Sequence, residues 1–222
     1  MSFKEKIKNI IPEPVFYYYH SISIILKNLE IVKGKNYNSW INLGKPFPPP
    51  HVVKQKTIRE YSDLYKPTTL IETGTFLGEM VYSQRNHFKK IISIELSPTL
   101  HANAVKRFKN LPNVEILLGD SSKVLKELAE SGKLKEVCLF WLDGHYSAGF
   151  TALGEKETPI MEELDSIFGT NQNHIILIDD ARCFTGENDY PTIDELKQFI
   201  KNKNPCYEIL VDNDIVRVAP AK

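Results

Sequence analysis

The sequence predicts an α/β fold, a doubly wound sheet that is mostly parallel and ends in an antiparallel hairpin. Three observations carry that expectation. From residue 69 onward, short apolar runs alternate with helical segments. Most of the runs are β-branched and apolar on both faces, as strands are when helices cover a parallel sheet on both sides. The polar residues with chemistry in them fall just after the runs, where doubly wound sheets bind their ligands.

The elements follow in order along the 222 residues. Residues 1–52 read as an N-terminal helical extension and a proline-rich linker, and 53–222 as one α/β domain. Within the extension, the apolar stretch from Val15 to Val32 carries His20, Lys27, Asn28 and Glu30, so it is a poor membrane span. Its aromatic cluster, Val15 to Tyr19, suits packing against the domain or a homodimer partner; the alternative is an interfacial membrane contact. Pro46 to Pro50 cannot be helical and predicts a stiff extended segment. Val53 to Tyr65 has helical spacing.

The predicted strands are Thr69–Glu72, Ile91–Glu95, Val114–Leu118, Val137–Leu142 and Ile175–Ile178. Ser97-Pro98 opens one intervening helix; Ser121 or Ser122 caps a second, which stops near Gly132. Thr158-Pro159 opens a third, and Thr192 with Glu195 forms a capping box for a fourth. Tyr207–Val211 and Ile215–Val218, joined by Asp212-Asn213-Asp214, read as a hairpin.

Lys+Arg and Asp+Glu both number 28. Zero net charge argues against a dedicated nucleic-acid binder, which needs excess positive charge to neutralise phosphates. The cysteines, Cys138, Cys183 and Cys206, contain no CxxC pair and suggest neither a zinc site nor a disulfide framework. With no secretory signal or transmembrane segment evident, a cytoplasmic location is expected.

The strand ends supply the candidate site. Strand one runs into Glu72-Thr73-Gly74-Thr75-Phe76-Leu77-Gly78. Gly74 and Gly78 permit positive φ and close approach of a ligand. Phe76 stands where a dinucleotide fingerprint has its middle glycine, which counts against a pyrophosphate ligand. Glu72 repels phosphate and suits a ligand bearing a positive amino group. Glu95, ending strand two, has the place of a carboxylate that accepts from ribose hydroxyls. Asp120, beside Ser121, either accepts from an adenine amino group or caps the next helix.

Together, Glu-x-Gly-x-x-x-Gly, the acid ending strand two, Gly119-Asp120-Ser121 and the closing hairpin resemble the class I S-adenosylmethionine (SAM)-dependent methyltransferases over roughly residues 54 to 220. The turn resembles that of the catechol and macrocin O-methyltransferase branch. The resemblance implies a Rossmann-like sheet of order 3-2-1-4-5-7-6. It implies a SAM pocket formed by Glu72, Thr73, Gly74, Thr75, Gly78, Glu95, Asp120, Ser121 and Asp143.

Asp143, Asp179 and Asp180 end neighbouring strands and would repel one another unless paired. Magnesium suits such a set, and in the metal-dependent O-methyltransferases that the chain resembles, matching positions hold Mg²⁺. Arg182 offers an internal counter-charge instead, or contacts substrate. His145, two residues after Asp143, is a candidate general base and departs from the aspartate of the sugar-modifying relatives. The long loop from Tyr146 to Thr158 should cover the acceptor, with Tyr146 as a lining residue. The expected activity is methyl transfer to a hydroxyl of a small molecule, sugar or glycan. A nicotinamide-dependent oxidoreductase on the same sheet and a non-catalytic SAM-binding protein are the alternatives.

Overall fold

The computed structural model describes residues 30–144 and 158–221. The chain forms two units, Met1–Lys45 and Pro46–Lys222. In the first, helix α1 (Glu30–Asn42) carries Tyr37 and Trp40, whose rings lie 6.1 Å apart. The Lys45 ammonium sits 5.7 Å from the Trp40 ring centroid.

The second unit opens with α2 (His51–Tyr65). It starts two residues before the helical spacing becomes visible, because Pro50 takes the cap position with extended backbone and frees His51 and Val52 to be helical. Lys66 ends it in the left-handed region, returning its N–H to the Ser62 carbonyl at 2.8 Å.

Seven strands follow: β1 (Thr69–Thr73), β2 (Lys90–Glu95), β3 (Val114–Leu118), β4 (Cys138–Leu142), β5 (Ile175–Ile178), β6 (Tyr207–Asp212) and β7 (Ile215–Pro220). The sheet order is β3-β2-β1-β4-β5-β7-β6. The first five strands pair in parallel, and β7 pairs antiparallel with both β5 and β6. Both the order and the hairpin match expectation.

The crossover elements are α3 (Glu79–Gln84), α4 (Pro98–Phe108), α5 (Ser121–Glu130), α6 (Ile160–Phe168), a 3₁₀ turn (Ala181–Cys183) and α7 (Ile193–Lys203). Two apolar layers sandwich the sheet. Cys138, Phe140 and Leu142 of β4 enter one with Leu125 of α5, Leu164 of α6 and Leu196 of α7. Leu139 and Trp141 enter the other with Ile58 of α2, Val81 of α3 and Phe108 of α4. The period of two along β4 is what splits them. A strand buried on both faces needs apolar residues at every position, and β4 supplies them.

Ser97 caps α4, and Thr192 and Glu195 form the full capping box of α7. The expected cap of α5 is corrected. Asp120, not Ser121 or Ser122, is its N-cap, accepting the Ser122 N–H at 2.9 Å, because a carboxylate one residue earlier reaches the orphan amides of the first turn. Thr158 makes no cap; Pro159 takes that place at α6. Among the described residues, no helix is long and apolar enough to cross a membrane.

Candidate functional site at the carboxyl edge

Parallel register aligns the strand ends. Thr73 pairs with Ile94 and Leu142, Glu95 with Leu118, and Leu142 with Ile178. The polar residues after these positions therefore share one edge of the sheet. The chain leaves β1 through Gly74, at φ 86°, whose N–H bonds the Ile94 carbonyl at 3.0 Å. A Cβ on Gly74 would lie 2.5 Å from the Asp143 carbonyl oxygen, so the β1 and β4 exits touch backbone to backbone here.

Phe76 itself adopts positive φ, 48°. A side chain in that region costs roughly 1–2 kcal/mol. The conformation is held by Glu95, whose Oε2 accepts the Phe76 N–H at 2.8 Å while Oε1 accepts the Ser97 N–H at 2.9 Å. Glu95 is thus oriented from both sides before any ligand arrives. Burial raises its pKa, opposed by the backbone N–H groups that favour the charged form.

Glu72 is buried and accepts from the Ser93 hydroxyl, which in turn lies 2.6 Å from the Thr75 hydroxyl. Burial pushes the Glu72 carboxyl well above its ordinary range, and Asp143 and Glu95 add to the push. A cationic group placed beside it would restore the carboxylate.

At the β4 exit, the Asp143 N–H lies 3.2 Å from the Thr73 carbonyl and 3.3 Å from its hydroxyl. Gly144 follows, and the oxygens of Thr73, Ser121 and Glu163 surround its open side. A Cβ there would stand 3.1 Å from Thr73 Oγ1, 3.2 Å from Glu163 Oε1 and 3.3 Å from Ser121 Oγ. Glu163, in the first turn of α6, is 1% exposed. Burial pushes its carboxyl up to about 7, and the nearby Ser121 and Thr73 hydroxyls act in the opposite direction. Among the described residues its Oε1 has no partner.

The acidic cluster forms as expected. Oxygens of Asp143, Asp179 and Asp180 lie within 4.8 Å of one another. The chain also brings its own cations. Lys54 of α2 donates to Asp179, and its Nζ is 3.5 Å from Asp180 Oδ1. Arg182 donates to Asp180 at 2.8 Å and to Asp214 of the β6–β7 turn, which also accepts the Arg182 N–H at 2.9 Å. Burial alone would lower the Lys54 pKa; Asp179, Asp143 and Asp180 outweigh it and raise it, so Lys54 is an ammonium. For Asp179, burial and the Asp143 charge act upward against the pull of Lys54.

Three converging carboxylates have the chemistry of a hard-cation site, since Mg²⁺ takes few protein carboxylates and completes its shell with water and substrate oxygens. The donors fit on condition that Lys54 swings out.

Glu72, Thr73, Gly74, Thr75, Gly78, Glu95, Asp120, Ser121, Asp143, Asp179, Asp180 and Arg182 all lie along this edge, on strand ends or in the turns after them. His145 and Tyr146 lie outside the described residues, as does the aromatic segment Val15 to Tyr19. Sequence reasoning missed Lys54, Glu163 and Asp214. Lys54 and Glu163 sit on helices among other charged residues, with no local mark that they turn inward. Asp214 was legible only as a turn residue.

This is the Rossmann-like methyltransferase fold. No protein-family model matches the chain. Over 63 residues it is 32% identical to a Methanosarcina acetivorans protein named "Probable ribosomal RNA small subunit methyltransferase A", covering 28% of this chain and 23% of that one. Among solved structures, it resembles an O-methyltransferase from Bacillus cereus in complex with S-adenosylhomocysteine (SAH), with TM-score 0.58 and 13% identity, covering 91% of this chain and 96% of the other. It also resembles the O-methyltransferase TomG from Streptomyces achromogenes in complex with SAM, with TM-score 0.56 and 14% identity, over the same shares of each chain.

Proposed function

We propose that the chain is a SAM-dependent methyltransferase acting on a hydroxyl of a small molecule, sugar or glycan. The observation that carries the reading is the carboxyl edge itself. There the Gly74 turn, a pre-oriented Glu95 and a carboxylate cluster adjoin on the fold that the SAM- and SAH-bound O-methyltransferases share.

SAM supplies a methyl group activated by its sulfonium charge. Glu95 accepts from the ribose hydroxyls, and the Gly74 turn lets the amino-acid part approach the backbone. Glu72, buried behind that turn, faces the ligand's positive charge. Holding donor and acceptor in line is the principal contribution of such a site, worth several kcal/mol of the barrier. Asp143, Asp179 and Asp180 would hold Mg²⁺, whose charge would lower the pKa of an acceptor hydroxyl. His145 is the candidate to take the hydroxyl proton. Arg182 is fixed by Asp180 and Asp214, and orients the cluster from its far side.

Calorimetry with SAH, with and without Mg²⁺, tests both layers. SAH is expected to bind in both conditions, and Lys54→Met is expected to bind Mg²⁺ more tightly than the parent by removing the ammonium from the cluster. Absence of SAH binding in either condition sinks the cofactor reading. Turnover that is independent of Mg²⁺ sinks only the metal.

A further inference from the structure

Glu163 belongs to none of the strand-end motifs, yet it is buried at the cofactor edge with Oε1 unpaired. A buried carboxylate oxygen without a partner is costly, and native structures seldom leave one unless something else fills the place. Its surroundings say what that would be. Oε1 faces Gly144 with Thr73 Oγ1 and Ser121 Oγ around the same spot, and it is hydrogen-bonded to neither, so an acceptor is left for an N–H or O–H. The position is specific too. Ser121 opens α5 directly after β3, one strand beyond the Glu95 that ends β2. A nucleoside whose ribose lies on Glu95 and whose base extends toward β3 brings its outer edge beside Ser121 and Gly144.

Asp120 had been the natural acceptor for that edge. Its Oδ1 is committed to the α5 cap, taking the Ser122 N–H at 2.9 Å and the Ser122 hydroxyl at 2.6 Å, which leaves Oδ2, 4.0 Å from Lys123 Nζ.

We infer that Glu163 is the residue that recognises the base of the cofactor, its unpaired oxygen accepting a hydrogen bond from the exocyclic 6-amino group of adenine. The inference rests on the SAM reading above. It makes Glu163 a specificity residue supplied by α6, outside the glycine turn and the strand-end acids. At pH 8, where Glu163 is ionised, a 6-keto purine would place a second acceptor against the carboxylate, so the site rejects it. An open side at Gly144 is needed for the same contact, because a methyl there would crowd all three oxygens.

The test is calorimetric competition at pH 8 between SAH and S-inosylhomocysteine, which carries a keto group in place of the amino group and a proton on the neighbouring ring nitrogen. The parent protein is expected to prefer SAH by at least ten-fold. Glu163→Gln, whose amide can turn its NH₂ toward a keto oxygen, is expected to bring the two ligands within about three-fold of each other. A parent that binds both equally overturns the inference. So does a variant that keeps the parent's ratio, which would mean that Oε1 holds an ordered water. The parent measurement stands alone should Glu163→Gln fail to fold. A parent that binds neither ligand contradicts the cofactor reading instead, so the two failures are distinguishable.

Discussion

The two rims of the sheet bury ionisable groups in opposite ways. At the amino rim, His174 lies just before β5, fully buried, with both ring nitrogens and its carbonyl paired. Its Nδ1 accepts the Cys138 N–H at 3.0 Å, its Nε2 meets the Thr170 hydroxyl at 2.9 Å, and its carbonyl accepts from Tyr207 at 2.8 Å. Thr170 passes its own proton to the Ile167 carbonyl at 2.7 Å, which assigns Nε2 as the donor to it. Phe140 packs against the ring edge to face, 5.0 Å away. At the carboxyl rim, Glu72, Glu95, Glu163 and Asp179 are buried acids, each pushed upward by burial first, and Glu163 keeps an oxygen unpaired. His174 is satisfied within the chain. Glu163 keeps an acceptor unmet among the described residues. The contrast separates a residue buried for stability from one buried for binding, which burial alone does not do.

The largest effect expected from breaking this contrast is at Gly74. Gly74→Ala forces a methyl onto the Asp143 carbonyl at positive φ, and is expected to cost about 3 kcal/mol or more and to abolish SAH binding. Urea unfolding and calorimetry measure both; a variant as stable as the parent would show that the β1 and β4 exits are not locked together.

Next is the pH dependence of the carboxyl rim. Glu163 is raised from an ordinary 4.5 to about 7. The folded state therefore keeps a proton that the unfolded chain has lost, and its stabilising contribution is full below about 4.5 and falls away as pH rises to about 7. Glu163→Gln removes that dependence. It is expected to be more stable than the parent at pH 8, by up to about 3 kcal/mol, with the advantage gone near pH 4.5. Denaturant curves at the two pH values decide it, and an advantage that is equal at both would refute the titration of Glu163.

The amino rim has the opposite sign. His174 is lowered from an ordinary 6.5 to about 4 by burial, so it is neutral when folded. Its contribution is full above about 6.5 and lost as pH falls toward 4, because the unfolded chain takes up a proton first. His174→Phe leaves the Cys138 N–H without its acceptor and is expected to cost about 1–3 kcal/mol at pH 7.5, while flattening the acid limb between pH 6.5 and 4. An acid limb unchanged in that variant would assign it to other groups.

How much of this could be read beforehand follows from the same physics. β4 and β5 were legible because strands covered on both faces must be apolar throughout, and their polar exits at Asp143 and Asp179 stand out against that run. Gly74 and Glu95 were legible by position after β1 and at the end of β2. The order of the strands came from family resemblance, since periodicity is silent on which strand neighbours which. Asp120 was weighed as ligand or cap; geometry shows the cap through Oδ1 and leaves the ligand role to experiment. Lys54 and Glu163 were illegible for a common reason. Each is a long charged side chain on an amphipathic helix, where the default is a solvated face. What turns Lys54 inward is Asp179, 125 positions away, and what turns Glu163 inward is the meeting of α6 with Ser121 and Thr73. His174 was equally hidden, because a single histidine ahead of a strand carries no pattern.

Asp214 sits in a hairpin turn at the sheet's antiparallel edge, yet its carboxylate and carbonyl hold Arg182 and the Ala181 N–H in place behind the acidic cluster. The turn is in this sense a rivet through two storeys of the molecule. Damage to Asp212-Asn213-Asp214 would surface first as lost turnover and only afterwards as lost folding. A survey of inactivating substitutions would then mark this distant turn as sharply as the centre itself, through direct mechanical attachment and with no allosteric transition at all.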